Sequence, residues 1–360
     1  SNFHEEKTAI AEQIRSYFFC LLNCDIILIT SFFEGFRDNS IIEFDKDFDL
    51  PPIASIFYDL IPLIQPQIYL DSNSEFKSFY LKRLEYLNKV DCLLSISKSS
   101  SQEAYQYLSI DKSNVHNIYA GCDREIFYPA DIKESRKTAK NNLDKYILYS
   151  GAGDPRKNLN KLIEAYSLLN DELILTYKLV LVGKLLPEEI SLLKSWINSL
   201  NLNLNQVVLL GYVSDKELAD LYRNCSLFVF PSIHEGFGLP VLEAMSCGAV
   251  VLGSNTTSIP EVIQDEYALF DPHNALQISE LIAKALIDKS FYNQLLAGLN
   301  QRSLKFTWEK TAFKASAALL KTIKRFHKDS FKPTTIDSIE NYKNKYYNLM
   351  IGKISKILSN

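Results

Sequence analysis

Residues 226–254 read SLFVFPSIHEGFGLPVLEAMSCGAVVLGS. An apolar run ends at Phe230, a loop with two glycines follows, and Pro240 stands where the first turn of a helix is expected. A second apolar run starts at Ala249. The order strand, loop, helix, strand is the repeating unit of a parallel sheet, in which ligands bind outside the carboxyl ends of the strands. The stretch therefore predicts an α/β domain with a binding site in its glycine loop.

The same alternation extends over residues 146–290. Its apolar residues stand on successive positions, which predicts strands that helices cover on both faces. We predict six strands there: 146–150, 178–183, 207–211, 226–230, 249–254 and 268–271. Ser214 with Glu217 predicts a capping box, and Pro260 is expected in a first helical turn. This half is therefore predicted to be a doubly wound, Rossmann-like domain.

The first half repeats the pattern less regularly. Its candidate strands cover 24–30, 53–58, 92–97 and 115–119. A doubly wound domain normally begins with a strand, whereas this chain begins within a helical pattern, so the opening strands are expected to be missing. The polar segment 131–142 predicts a linker. We predict domains at 1–135 and 136–307, followed by helices over 308–360 that pack back towards the N-terminal domain.

The composition is that of a globular chain. Its 360 residues are 47% hydrophobic and 23% charged, and the low counts of glycine and proline, 12 each, exclude collagen-like and disordered chains. Apolar runs are too short to span a bilayer and the first residues lack the order of a signal peptide, which predicts a cytoplasmic location. The six cysteines lack metal-ligand spacing and are expected to be buried free thiols, with Cys20 and Cys24 on one helix face.

The charge is distributed unevenly. A formal net charge of −4 excludes a generally basic nucleic-acid binder, so no nucleic-acid partner is expected. From Lys321 onward, nine basic residues stand against three acidic ones. Two interpretations stay open: a solvated helix face, or weak peripheral attraction of this basic tail to an anionic membrane surface.

Two segments carry residues suited to a phosphorylated ligand. Glu235 stands in the glycine loop, where an acid has little structural purpose but can accept hydrogen bonds from sugar hydroxyls. The amides at the following helix start suit a diphosphate. Glu243, predicted in the first turn of that helix, either offsets the helix dipole or faces the same cavity. We expect Glu235 to face the cations at 156 and 157 across an empty cleft with room for a pyrophosphate.

The second segment is SGAGDPRKN, residues 150–158. It is a poor dinucleotide fingerprint, because Asp154 and Pro155 stand where the motif needs x-x-G. Arg156 and Lys157 follow a strand directly and can stabilise charge on a departing nucleoside diphosphate; the alternative is a solvated charge cluster. No Asp-x-Asp pair or His cluster stands nearby, so neither a metal nor a cofactor is predicted.

HEGFGLPVLEAMSCG, residues 234–248, resembles the signature of retaining glycosyltransferases of family 4, which have two glutamates separated by seven residues. The resemblance extends in the family's order through 146–166, 178–184, 207–232 and 258–272, and more weakly through 57–63, 91–100 and 120–129. It implies the GT-B fold, with two Rossmann-like domains facing a cleft and the acceptor on the N-terminal side.

The resemblance also implies a role for each matching residue. Glu235 would hold the hydroxyls of the transferred sugar, Glu243 would bind the ribose, and Lys157 would contact the diphosphate. Relatives often carry an Arg near Gly151, and Arg156 is its expected substitute. The rest of the implied nucleotide-sugar site comprises the loop glycine Gly151, the backbone of Gly236, Phe237, Gly238 and Leu239, and the nucleobase-contacting Tyr212 and Val213. Ordinary loop packing is the alternative for Tyr212 and Val213.

The segment FYDLIPL, residues 57–63, departs from the family pattern. Many relatives have a His before the Asp, whereas this chain has Tyr58 before Asp59. A tyrosine donates a hydrogen bond but is no base near neutral pH. Asp59 either contacts a sugar or caps the following turn.

The resemblance implies a metal-free, retaining transfer of a hexose from a nucleotide sugar to a glycan or lipid-linked glycan. DLIPL (59–63) and DPRKN (154–158) are similar to mannosyltransferase-like members, so GDP-mannose is the first candidate donor and a surface polysaccharide or lipopolysaccharide the expected product. Two alternatives remain open. One is a non-catalytic partner subunit, suggested by Tyr58 and the short first half; the other is a nucleotide-sugar epimerase, which shares the architecture.

Overall fold

A computed structural model describes residues 2–22, 24–38, 40–129, 144–151, 153–329 and 336–358. The chain divides into two compact units. The first comprises Ser1–Ile96, Ser100–Ile118 and Ala312–Asn360, and the second Ser97–Ser99 and Tyr119–Thr311. The predicted linker over 131–142 lies outside the described residues. The domain limits given above stay a prediction.

The first unit contains a parallel sheet of four strands in the order β1-β2-β3-β4. The strands are β1 (Ile27–Ile29), β2 (Ile53–Phe57), β3 (Cys92–Ser95) and β4 (Val115–Asn117). All four lie inside the predicted segments. The helices of the first half are α1 (Asn2–Leu21), α2 (Ile61–Ile64), α3 (Pro66–Tyr69), α4 (Ser74–Leu87) and α5 (Lys98–Tyr107).

Alternate residues of this sheet enter two separate cores, one on each face. Ile53 and Leu93 pack in the core that also contains Leu84 of α4. Ala54 and Leu94 point to the opposite face, where Ala318 packs against them. Both faces are therefore buried, which explains the continuous apolar runs in the sequence.

Helix α16 (Ile336–Leu358) lies against α1. Its Tyr346 and Met350 pack on Phe48, next to Cys20 of α1. The prediction for Cys20 and Cys24 is wrong, because α1 ends at Leu21 and Cys24 lies beyond the helix. All six cysteines are free thiols, as predicted, and Cys92, Cys122 and Cys247 are buried. The predicted burial is wrong for Cys20, Cys24 and Cys225, which are half-buried.

The second unit contains a parallel sheet of six strands in the order β10-β9-β8-β5-β6-β7. The strands are β5 (Tyr146–Ser150), β6 (Lys178–Val182), β7 (Val207–Gly211), β8 (Leu227–Phe230), β9 (Val251–Ser254) and β10 (Leu269–Phe270). Each predicted strand is confirmed to within two residues. The chain runs outward from β5 to β7 and then returns to β8 on the other side of β5. The strand order therefore reverses between β5 and β8, the position where such sheets bind ligands.

Further helices follow β5 along the chain. They are α6 (Leu159–Ser167), α7 (Asp171–Thr176), α8 (Pro187–Ser199), α9 (Asp215–Asn224), α10 (Leu239–Ser246), α11 (Ile259–Ile263), α12 (Ala275–Ile287), α13 (Lys289–Leu296), α14 (Leu299–Ser303) and α15 (Trp308–Asp329). The capping box of Ser214 and Glu217 is confirmed, as are Pro240 and Pro260 in first turns. Gly298, at φ +73°, separates α13 from α14. Within the described residues, no helix combines the length and apolar character that crossing a bilayer requires.

Candidate functional site

Two loops at the carboxyl ends of β5 and β8 lie side by side, because these parallel strands are neighbours. The loop after β5 contains a 3₁₀ turn, Pro155–Lys157, which Asp154 caps by accepting from the Arg156 amide at 3.0 Å. Asn158 ends the turn in the left-handed region, at φ 58°, a conformation that asparagine tolerates. Its side-chain amide donates to the Pro231 carbonyl at 3.1 Å and so joins the two loops.

The predicted acid and the two predicted cations contact one another directly. Lys157 Nζ lies 2.6 Å from Glu235 Oε1, and an Arg156 guanidinium nitrogen lies 2.9 Å from Glu235 Oε2. The side chain of Glu235 is 9% exposed, and those of Lys157 and Arg156 are 13% and 20% exposed. The interpretation of residues 154–157 as a solvated charge cluster is therefore wrong.

The expected gap between the acid and the cations is also absent from this arrangement. At 2.6 and 2.9 Å, the charged groups are in hydrogen-bonding contact, so a pyrophosphate does not fit between them. The physical reason is that neighbouring loops bring opposite charges together where water is largely excluded, and an ion pair then offsets the cost of burial.

Hydroxyl groups hold Glu235 in place. Ser232 Oγ donates to Glu235 Oε1 at 2.7 Å. Thr257 Oγ1 accepts from the Glu235 amide at 3.1 Å, and Ser258 Oγ donates to its carbonyl at 2.9 Å. Sequence reasoning missed these three residues and Asn158. The signal for Ser232, Thr257 and Ser258 was small polar residues soon after β8 and β9, two strands that end at the same edge of the sheet.

The glycine loop leads into α10 through a conformation that favours glycine. Gly238 has φ +95°, and a Cβ there would lie 2.6 Å from Ile259 Cδ1. It is the N-cap of α10 and provides no capping side chain to the amides that follow. Phe237 is buried edge-on against Phe306, so that only its backbone remains for a ligand. The helix starts at Leu239, which places Gly236 to Leu239 at its positive end.

The prediction that Glu243 lies in the first turn of α10 is wrong, because it lies in the second turn. The helix begins one residue before Pro240, and the dipole interpretation loses its basis. Tyr222 Oη donates to Glu243 Oε2 at 3.3 Å and shares a 2.7 Å hydrogen bond with Ser150. Burial raises the pKa of Glu243 to about 7. This carboxyl group therefore changes charge near neutral pH.

A cleft of about 510 Å³ opens at the carboxyl ends of β5, β6 and β7. Its lining includes the predicted Gly151 and Tyr212, and the Tyr212 side chain is 80% exposed. Val213 follows directly in the chain and is half-buried. The lysines Lys184 and Lys194 also line the cleft, although no pattern in the sequence predicted a role for either.

Metal-binding geometry is not found among the described residues, where no three His, Cys, Asp or Glu side chains converge. The metal-free, cofactor-free reaction stays a prediction.

Tyr58 and Asp59 lie in the first unit, at the carboxyl end of β2. Tyr58 Oη donates to the Thr30 carbonyl at 3.2 Å, which joins the loops after β1 and β2. Asp59 Oδ1 accepts from the Ile61 amide at 3.1 Å. The capping interpretation of Asp59 is thus confirmed, and a sugar contact stays a prediction.

The sequence and the fold of this chain are similar to those of known proteins. Residues 131–298 match the family described as glycosyl transferases group 1. This segment belongs to the group 1 glycosyltransferases. The glycosyltransferase segment contains both loops of the site and the cleft, which supports the resemblance seen in residues 234–248.

Two curated relatives are mannosyltransferases of Escherichia coli. The serotype-specific mannosyltransferase WbdA is 40% identical over 291 residues, covering 80% of this chain and 36% of WbdA. The O-antigen chain mannosyltransferase B is 32% identical over 234 residues, covering 62% of this chain and 59% of that protein. The chain thus spans about a third of the length of WbdA.

A solved structure shows the same fold. The Anabaena protein Alr3699/HepE, crystallised with UDP and glucose, has a TM-score of 0.64 and 18% identity, covering 75% of this chain and 72% of that one. The α/β, GT-B fold class predicted from the sequence is confirmed.

Proposed function

We propose that this chain is the catalytic part of a retaining glycosyltransferase that moves mannose from GDP-mannose to a glycan of a surface polysaccharide or lipopolysaccharide. One observation carries the proposal: Glu235, Arg156 and Lys157 meet at the reversal of strand order, beside the positive end of α10. The names of WbdA and of the O-antigen chain mannosyltransferase support the sugar and the pathway.

The site's groups match what the transfer requires. As the sugar–phosphate bond breaks, negative charge grows on the nucleoside diphosphate, and the cations of Arg156 and Lys157 stabilise it. The amides at the start of α10 add partial positive charge. Glu235 accepts hydrogen bonds from the sugar hydroxyls and orients the ring. In a retaining transfer, the acceptor hydroxyl then attacks the face from which the diphosphate leaves.

The cleft suits a base that presents hydrogen-bond acceptors. Lys184 and Lys194 line it, and a lysine ammonium group has donors only. Guanine offers O6 and N7 as two adjacent acceptors, whereas adenine places an amino group beside N7. The exposed ring of Tyr212 offers a stacking surface. These features support guanine over adenine in the donor.

Donor binding and turnover test the proposal. The full chain is incubated with GDP-mannose, UDP-glucose or ADP-glucose, and binding is followed by calorimetry and nucleotide release by chromatography. We expect GDP-mannose to bind most tightly and ADP-glucose least. Failure of all three to bind would contradict the proposal. An isomerised sugar nucleotide formed without acceptor would favour an epimerase, and donor binding without turnover would favour a partner subunit, which native mass spectrometry would detect in complex.

Binding of GDP-mannose is expected to tighten as the pH rises. The ribose hydroxyls donate best to an ionised carboxylate, and the pKa of Glu243 is raised to about 7. Raising the pH from about 6 to about 8 ionises most of this group and is expected to increase affinity by up to about tenfold. GDP-mannose is the right probe because its diphosphate does not titrate in this range. Calorimetry across the range checks this; Glu243→Gln is expected to flatten the profile, and an equally steep profile in that variant would contradict the role.

Weak peripheral association with anionic membranes remains a proposal. Lys353 pairs with Asp45 and Asp47, so the basic tail attracts less than its sequence count suggests. Lys321 and Lys343 are exposed and contribute to a net attraction. We expect a small bound fraction on phosphatidylglycerol vesicles that disappears above about 0.15 M salt. Equal sedimentation with phosphatidylcholine vesicles would contradict the proposal.

A further inference from the structure

The cations that would bind the diphosphate already have an anionic partner within the chain. Lys157 Nζ donates to Glu235 Oε1 at 2.6 Å, and the Arg156 guanidinium reaches Oε2 at 2.9 Å. Both carboxylate oxygens are thus engaged by the two groups on which the proposed function relies. A diphosphate approaching these cations meets a competitor of the same charge.

The local charge shows how strong the competition is. Arg156 and Lys157 contribute two positive charges and Glu235 one negative charge. Asp154 adds a second negative charge, with Oδ2 3.5 Å from the Arg156 Nε. The cluster is therefore close to neutral, although its cations are arranged as if to hold an anion. Because these side chains are largely buried, salt screens their interactions less than it screens ion pairs on the surface.

Glu235 has little freedom to move away as a whole. Thr257 and Ser258 bind its amide and its carbonyl, and both belong to the loop after β9. Ser232 binds one carboxylate oxygen at 2.7 Å. Only the side chain of Glu235 can move away from Arg156 and Lys157, by rotating within the pocket. The negative charge therefore stays close to any bound diphosphate and must find new donors.

We propose that Glu235 makes the site select nucleotides that carry a sugar over bare nucleoside diphosphates. This inference rests on the proposed function of the site. The hydroxyls of a hexose donate hydrogen bonds that replace those of Arg156 and Lys157 to the carboxylate. The two cations can then bind the diphosphate while Glu235 keeps hydrogen-bond partners. A nucleoside diphosphate lacks the hexose, and its ribose hydroxyls are assigned to Glu243, so it brings no donor to Glu235. After transfer, Glu235 recovers its cations and favours release of the diphosphate product.

Calorimetry with inorganic pyrophosphate, GDP and GDP-mannose tests the inference. Glu235→Gln keeps the size of the side chain and removes its charge. We expect this variant to bind pyrophosphate and GDP about tenfold more tightly than the wild type, because the cations no longer have a competing anion. The affinity for GDP-mannose is expected to rise less than this or to fall. The preference of the site for GDP-mannose over GDP is therefore expected to decrease.

Two further variants make the result specific. Glu235→Asp retains the charge but withdraws the carboxylate by one methylene, and we expect intermediate affinities; it also serves if the Gln variant does not fold. Glu280→Gln removes an exposed carboxylate from α12 and is expected to bind all three probes as the wild type does. Unchanged or weaker binding of pyrophosphate and GDP to the Glu235 variants would overturn the inference. Absence of GDP and GDP-mannose binding in the wild type would instead contradict the proposed function itself, and the inference with it.

Discussion

Lys157→Ala is expected to lower kcat by about 10²- to 10³-fold while the chain stays folded, in the range found when one preorganised charge-stabilising donor is removed. In the proposed function its ammonium group stabilises the departing diphosphate. In the structure it lies 2.6 Å from Glu235. Folding is expected to persist because Arg156 still pairs with Glu235. Release of GDP from GDP-mannose in the presence of acceptor measures the effect.

Lys161→Ala is the matched control for this variant. Lys161 lies four residues further on, in α6, and pairs with Glu164 at 2.8 Å within the same helix. Its removal is expected to leave kcat unchanged. Equal kcat values for Lys157→Ala and the wild type would remove the basis for a cationic leaving-group site. An equal loss in the two lysine variants would point to a nonspecific effect of charge.

The second large effect concerns stability. Glu43→Gln is expected to lower the free energy of unfolding by about 3–5 kcal/mol, since it leaves a buried guanidinium without its counter-ion. Arg83 and Glu43 pair at 2.7 Å with side chains only 3% and 5% exposed. Arg83 also donates to the Glu34 carbonyl at 2.9 Å, so it cannot easily reach solvent. Urea unfolding followed by far-UV circular dichroism measures the change.

Asp71→Asn provides the comparison, because it breaks an exposed pair with Lys77 and is expected to cost less than about 1 kcal/mol. The pH dependence gives a second check. Burial alone would raise the pKa of Glu43, but hydrogen bonds to Arg83 and to a backbone amide, together with the charges of Arg83 and Lys82, hold the pKa below its usual value. Its stabilisation is therefore present at neutral pH and lost in acid. Wild type and Glu43→Gln should converge as the pH falls; similar midpoints at neutral pH would contradict the role of the pair.

Local signals account for the features that the sequence predicted well. Tyr146–Ser150 forms β5 with the predicted limits, because a short apolar run between polar turns suits a strand buried on both faces. The start of α10 was predictable from a glycine and Pro240. The capping box of α9 was predictable as well, because Ser214 and Glu217 lie within one helical turn.

Long-range features could not be predicted in the same way. Glu235 and Lys157 are 78 residues apart, and their contact depends on β8 lying next to β5. No local pattern sets that strand order. The two residues were expected at one site because each follows a strand of one parallel sheet and because both match the family pattern. The prediction of a gap between them was wrong. Whether two partly buried charges touch depends on ångström-scale distances, which the sequence does not specify. The buried pair of Arg83 and Glu43 had no sequence signal, since charged residues are normally exposed.

A crystal structure of the full chain with GDP-mannose tests the central claim most directly. We predict diphosphate oxygens within hydrogen-bonding distance of Lys157 Nζ and the Arg156 guanidinium, sugar hydroxyls on Glu235, and a distance between Lys157 Nζ and Glu235 Oε1 longer than the present 2.6 Å. A diphosphate bound elsewhere, with both ion pairs of Glu235 intact, would contradict the account.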